Sequence, residues 1–179
     1  ALALVRYSFR GRNATNLFIF IPMATPEIVL GASLLTLFVS TATLEPFKSI
    51  IPPGIFYPLG LPTIIIAHVM FNISYVVVTV KARLRGFDWT LEEAAMDLGA
   101  NEFQTFRKVT LPLIFPGILA AALLAFALSL DDFIITLFNS GQEVTFPLFV
   151  WGAARVAVPP QINVMGTMIM GGTVALMVL

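Results

Sequence analysis

Apolar residues run along this chain in long stretches separated by short polar segments. Leu17 to Val39 is one such run, Pro62 to Val80 a second and Ile114 to Phe138 a third. Each is close to the roughly 20 residues that an α-helix needs to cross a hydrocarbon core of about 30 Å. A fourth opens at Pro159-Pro160-Gln161-Ile162-Asn163 and continues to Leu179, with Thr167 and Gly171 as a pair of small residues four apart. The first run is interrupted by Pro22 and Pro26, and Thr25-Pro26-Glu27 predicts an N-cap, an N1 proline and an acidic first turn. The expected geometry is a broken helix with Glu27 near mid-bilayer. A carboxylate there costs about 2.5–3.5 kcal/mol on insertion scales, so it faces protein or water, or else it caps the restarted helix.

Between the first two runs, Thr41 to Leu61 holds Pro46, Pro52, Pro53, Gly54, Pro58 and Gly60 and reads as a loop. In the second run His68, Asn72 and Tyr75 stand at i, i+4 and i+7, a polar stripe that either lines a pathway or hydrogen-bonds across a helix interface. The third carries Gly117, Ala121, Ala125 and Ser129 every fourth residue, a stripe that lets a neighbouring backbone come close. It ends in Ser129-Leu130-Asp131-Asp132. At about 100° per residue Asp132 falls over Ala125 on the packed side, while Asp131 turns toward the Leu124 face. No basic residue in that run neutralises the two acids, which makes them candidate pathway groups, or solvated interfacial ones if the helix leaves the bilayer near Leu130. In the loop from Asn139 to Pro160, residues Pro147 to Val158 predict a surface helix with Trp151 at headgroup level.

The longest polar stretch is Thr90 to Pro112. Thr90 and Glu93 have the spacing of a capping box, so a helix is expected from Leu91 to Leu98, closed by Gly99 in the left-handed conformation. Leu91, Ala94, Ala95 and Leu98 share one face of it and leave Glu92 and Asp97 on others. Asn101, with Gln104 three residues on, predicts a second N-cap and a helix carrying Phe103 and Phe106.

Composition places the chain in the membrane class, with 58% hydrophobic residues, 11% charged residues and a mean hydropathy of +0.93. Zero net charge gives no argument for nucleic acid. With no Cys and one His, thiolate and multi-histidine metal sites are excluded. Arg6, Arg10, Arg12, Lys81, Arg83, Arg85, Arg107 and Lys108 fall on one side if the runs alternate, leaving Lys48 and Arg155 opposite. The positive-inside rule then makes Thr90–Pro112 cytoplasmic. An intramembrane aspartyl protease needs carboxylates from separate helices at one water, and Ser129 and His68 lack a nucleophile motif, so no enzyme is expected. A proton-coupled secondary transporter could use Glu27, His68 and Asp132 as a relay. Because the chain starts at Ala1 in an apolar stub and stops inside an apolar run, it is expected to be a piece of a longer protein.

Glu93-Ala94-Ala95, three residues, Gly99, nine residues, then Val109, Thr110, Leu111 and Pro112 resembles the EAA loop of ABC-importer permeases, with Val109 where that pattern has Ile. The resemblance implies an all-α, polytopic transmembrane helical bundle with a cytoplasmic coupling helix. It would be a single transmembrane permease domain over 1–179, incomplete at both ends, with its coupling loop at 88–112. Glu93, Ala94, Ala95, Asp97, Leu98 and Gly99 would dock in a groove of a separate ATPase subunit. ATP and Mg would belong to that partner, since no G-x-x-x-x-G-K-[ST] phosphate loop occurs here and no cofactor is expected in this chain. A second permease subunit and an extracytoplasmic binding protein are the other implied partners, in the lipid bilayer of the inner membrane.

The segments RYSFRG, PEIVLGASLL, VVVTVKARLRGFD, EEAAMDLGANEF, SLDDFIITLF and VPPQIN are similar to the permeases of spermidine/putrescine importers, although Gln161 stands where an acid is commoner. A polycation needs acids or aromatic faces along its route, so Glu27, Tyr75, Asp131, Asp132 and Trp151 are the candidate pathway residues. The alternatives are an ABC permease for another small solute, or the secondary transporter, which has no reason to carry an EAA loop.

Overall fold

The computed structural model describes residues 1–44, 47–50, 52, 54–156 and 159–178. Pro46, Pro53, Val158 and Leu179, which figure in the sequence reading, lie outside the described residues. Among the described residues the chain forms α-helices and one π-helical turn, with no strand. Two helical stretches, Leu61–Arg85 and Glu102–Asp131, are long and apolar enough to cross a membrane. Arg12–Ala24 with Glu27–Thr43 makes a third if that broken pair is counted as one span. The residues cluster into two compact units, Ala1–Met23 with Ile73–Ala125, and Ala24–Asn72 with Phe126–Leu179.

The first unit holds α1 (Leu2–Arg6), most of α2 (Arg12–Ala24), the second half of α5 (Leu61–Arg85), α6 (Thr90–Asp97), α7 (Glu102–Thr105), a π-helical turn (Phe106–Thr110) and most of α8 (Leu111–Asp131). The apolar stub is thus a short helix, and α2 starts at Arg12, ahead of the first apolar residue of its run. Gly11, at φ +93°, makes the turn into α2, and the Thr15 hydroxyl donates to the Gly11 carbonyl (3.1 Å). Hydropathy marks where a helix meets hydrocarbon, not where its backbone ladder begins. Arg12 Nε donates to the Leu4 carbonyl (3.0 Å), tying α1 to α2. Lys81 Nζ donates to Asn16 Oδ1 (2.7 Å), and the Ser74 hydroxyl donates to the Ile19 carbonyl, joining α5 to α2. Arg83 lies across the head of α8, where its Nη2 donates to the Leu113 carbonyl (3.1 Å). A Cβ at Gly117 would stand 2.7 Å from Arg83 Cβ and Cγ, so this part of the small-residue stripe makes room for an arginine stem.

The second unit holds α3 (Glu27–Thr43), α4 (Phe47–Ile50), the first half of α5, the end of α8, α9 (Ile134–Asn139), α10 (Phe146–Ala154) and α11 (Pro160–Val178). The break at Thr25-Pro26 is present, but Pro26 takes the N-cap position with ψ 134°, so the helix begins one residue later than expected, at Glu27. Helix α3 runs on to Thr43, into the segment read as loop. Thr36, Ser40, Thr41 and Thr43 each donate a hydroxyl to the carbonyl four residues back, which satisfies them without leaving the helix. Gly31 packs on α9, where a Cβ would stand 3.0 Å from Phe138 Cδ2, and Asn139 Nδ2 donates to the Gly31 carbonyl (3.3 Å) and the Ile135 carbonyl (2.8 Å). The buried Thr63 hydroxyl donates to the Asn139 carbonyl (2.7 Å) and accepts the Gly60 N–H (2.9 Å). The third apolar run is two helices, not one, because the chain breaks after Asp131 and restarts at Ile134.

Candidate functional site

Helix α6 is amphipathic, but it is turned the other way from the sequence expectation. Its buried residue is Glu92, 3% exposed, while Leu91 and Ala94 are exposed and Leu98, just past its end, is 90% exposed. Glu92 Oε2 pairs with Arg6 Nη1 at 2.5 Å, and Oε1 accepts the Thr110 hydroxyl at 2.5 Å. The apolar face is free because the surface beneath the helix offers a cation and a hydroxyl. The capping expected of Thr90 is done by Asp88: its Oδ1 accepts the Thr90 N–H (3.1 Å) and hydroxyl (2.8 Å), and Thr90 is already the first helical residue. Gly99, at φ +88° in open space, closes the turn. The second box forms as read: Asn101 Oδ1 accepts the Gln104 N–H (2.9 Å), and Gln104 Oε1 accepts the Asn101 N–H (3.1 Å).

In the second unit the adjacent acids part company. Asp131 is exposed and lines a cavity of about 660 Å³ together with Phe133, Phe146, Val150, Trp151 and Met170. The Phe133 and Trp151 rings are 5.3 Å apart, and the Arg155 guanidinium lies 3.5 Å from the centre of the Trp151 ring. Asp132 is buried, and its Oδ2 accepts both the N–H and the hydroxyl of Thr136, each at 2.8 Å. His68 from α5 completes the group, with Nε2 2.8 Å from Thr136 Oγ1 and 3.3 Å from Asp132 Oδ2, and Nδ1 2.5 Å from Ser129 Oγ. One proton arrangement satisfies every member: Ser129 donates to Nδ1, Nε2–H donates to Thr136, and Thr136 donates to Asp132. Asp132 therefore caps the restarted helix α9 and, through Thr136 and His68, fastens α5 beside it.

Two long apolar helical stretches, a carboxylate-anchored surface helix and the EAA spacing converge on one group of proteins, and residues 1–179 match the family described as "Binding-protein-dependent transport system inner membrane component". The chain belongs to that family. It is 43% identical over 175 residues to the putrescine transport system permease protein PotI of Escherichia coli K12, covering 96% of this chain and 59% of that protein. It is 39% identical over 180 residues to the spermidine/putrescine transport system permease protein PotC of Haemophilus influenzae, covering 100% of this chain and 65% of that one. For PotC of E. coli K12 the identity is 38% over 171 residues, or 95% and 60% of the two chains. The chain thus spans about three-fifths of the length of these relatives.

In this inner membrane component the predicted surface residues lie together: Glu93, Ala94, Asp97, Leu98 and Gly99 are exposed and Ala95 is half-buried, all on or just beyond one short helix. Of the predicted pathway residues, Asp131 and Trp151 line the same cavity. Asp132 is in the buried group beside it, and Glu27, exposed in the first turn of α3, is not among the residues lining that cavity. Tyr75 belongs to the other unit. Sequence reasoning missed Arg6, Thr110 and the inward turn of Glu92, and it missed Thr136 as the partner of Asp132. The His68 stripe, the small-residue stripe ending at Ser129 and the periodicity that set Asp132 on the packed side signalled the buried group. Asn72, the next member of the His68 stripe, donates its Nδ2 to the His68 carbonyl of its own helix (2.9 Å).

Proposed function

We propose that the chain is part of the permease subunit of an ATP-driven importer of polyamines, working with a separate ATPase, a second permease subunit and an extracytoplasmic binding protein. The observation that carries this reading is α6, which turns its carboxylate inward and presents Leu91, Ala94 and Leu98 outward. A short, firmly anchored helix with small and apolar residues exposed and an acidic flank suits docking in a groove of another protein, and Glu93, Ala94, Ala95, Asp97, Leu98 and Gly99 are the residues assigned to that contact. Hydrolysis of ATP then moves α6, and the movement opens or closes the path through the membrane.

The solute follows from the relatives, named for putrescine and for spermidine/putrescine transport, together with the chemistry of the Asp131 cavity. An open apolar cleft with one exposed carboxylate and the Phe133 ring beside it favours a flexible cation with a hydrocarbon spacer: the charge meets Asp131, and the methylenes lie on Phe133 and on the part of Trp151 that the Arg155 guanidinium leaves uncovered. Glu27 and Tyr75 are assigned to other stretches of the route. Reconstitution of the full-length subunit with its ATPase, partner permease and binding protein, followed by uptake of labelled putrescine, spermidine and an unrelated neutral solute, tests the reading. ATP-dependent uptake of a polyamine is the expected result. Uptake of the neutral solute alone would move the protein to another importer class, and polyamine uptake driven by a proton gradient without ATP would favour the secondary transporter.

A further inference from the structure

We propose that Glu92 and Arg6 are positioning residues that lock the angle of α6, so that any displacement of α6 is delivered at once to α1 and to the head of α8. The inference rests on the coupling reading of α6, but on different residues, since Glu92 faces away from the proposed docking surface. A helix of eight residues has too few turns to persist alone, and α6 leaves Leu91 and Met96 exposed, so apolar burial is not what holds it. What holds it is a carboxylate with both oxygens engaged, one by Arg6 of α1 at 2.5 Å and one by Thr110 of the π-helical turn at 2.5 Å. The Arg6 guanidinium also lies 5.4 Å from the Trp89 ring centre and 5.5 Å from that of Tyr7, and Trp89 packs on Phe87 at 4.7 Å. The chain leading into α6 is thereby held by the same cation as the helix itself.

Glu92 is buried while Arg6 reaches it from the solvent side, and such a pair is weak evidence for stability, because desolvation of the carboxylate and screening of the guanidinium offset most of the attraction; its best-attested use is to fix register. Here the register is the orientation of α6 on two other segments. Thr110 precedes α8 directly, and Arg6 ends α1, so a pull on α6 reaches both without passing through the Gly99 turn. Without the pair, α6 remains covalently attached and able to bind a partner, but its motion is absorbed locally.

The test uses the full-length subunit in the assembled transporter and reads solute imported per ATP hydrolysed, normalised to assembled complex. Glu92→Gln and Arg6→Gln are each expected to lower that ratio by about tenfold or more, and the double variant is expected to fall no further than Glu92→Gln, as for two members of one contact. Thr110→Val keeps the ion pair and removes one bond, with an expected loss of about threefold; it reads the same question if Glu92→Gln fails to assemble. A merely structural pair would lower the amount of complex and leave the ratio of the remainder unchanged, and ratios within about twofold of wild type, or additive losses, would overturn the proposal. A second readout does not need the ATPase. Nitroxides on Ala3→Cys and Ala100→Cys of the full-length subunit in nanodiscs should give a narrow distance distribution that Glu92→Gln broadens. An equally narrow distribution in the variant would overturn the lock, whereas failure of the wild-type subunit to bind or stimulate an ATPase would overturn the coupling reading instead.

Discussion

Replacing Asp131 and Asp132 separately by Asn should separate transport from folding. Asp132→Asn keeps the shape of the side chain, and its amide oxygen can turn toward Thr136 and retain both 2.8 Å bonds. The amide nitrogen then faces the Ile135 N–H, whose bond to Oδ1 was already long at 3.4 Å. The main loss is charge: a carboxylate opposite His68 Nε2 at 3.3 Å and two charge-assisted bonds become neutral ones. Bonds to charged groups are worth about 1.5–3 kcal/mol against roughly 1 for neutral ones, so the net cost is about 2 kcal/mol. For a protein of this size that corresponds to a fall in Tm of about 4–8 °C. Asp132→Ala loses every bond to the carboxylate and leaves the Thr136 N–H and hydroxyl without their acceptor, for about 2–5 kcal/mol. Asp131→Asn touches none of these groups and should leave Tm within about 1 °C of wild type while reducing polyamine uptake per assembled complex. The assay is size-exclusion chromatography of the detergent-solubilised full-length subunit after heating, paired with vesicle uptake. If Asp132→Asn melted like wild type and Asp131→Asn transported normally, the division of labour between the two acids would be refuted.

Three further outcomes are expected. Gly99→Arg places a Cβ and a long charged side chain at φ +88°, with a backbone strain of about 1–2 kcal/mol but open space around it; membrane insertion should persist while ATP hydrolysis and uptake come apart, and normal uptake would count against docking by α6. Gly117→Ala sets a methyl 2.7 Å from the Arg83 stem, and a loss of about 1–3 kcal/mol should appear as a lower Tm; an unchanged Tm would mean that Arg83 moves aside freely. Cysteines placed at Ser49 and Glu102 should react with impermeant reagents from opposite faces of the membrane, as the basic-residue distribution requires; reaction of both from one face would sink that topology.

The parts of the fold that were legible are those whose cause is local. The Asn101–Gln104 box, the left-handed Gly99 and the break at Pro26 each depend on residues a few positions apart, and each is present. The apolar runs located the long helices, and their ends drifted because Ser and Thr hydroxyls bonded to the preceding turn let α3 continue through polar sequence. The orientation of α6 was not legible. Amphipathic reasoning assumes that a helix buries its apolar face, but the surface under α6 is built from Arg6 and Thr110, distant in sequence, and it selects the carboxylate. The same holds at Asp132: helical periodicity placed it on the packed side, while the break after Asp131 and the bonds to Thr136 and His68 came from residues that no period links to it.

The π-helical turn at Phe106–Thr110, where the Leu111 N–H reaches back to the Phe106 carbonyl, contains one residue more than an α-helix would use there. The interval of nine residues between Gly99 and Val109 counts that surplus residue, so the spacing acts as a phase setting as well as a length. Removing a residue from the turn would restore an unbroken α-helical ladder, and it would also rotate everything upstream by about 100° around the axis of α8 and shift it by about 1.5 Å. Glu92 would then leave the Thr110 hydroxyl, and the apolar side of α6 would point a quarter-turn away from its former heading. A deletion at this place would thus change the direction of α6 without weakening the helix: a loop one residue shorter would make the better helix and aim it wrongly.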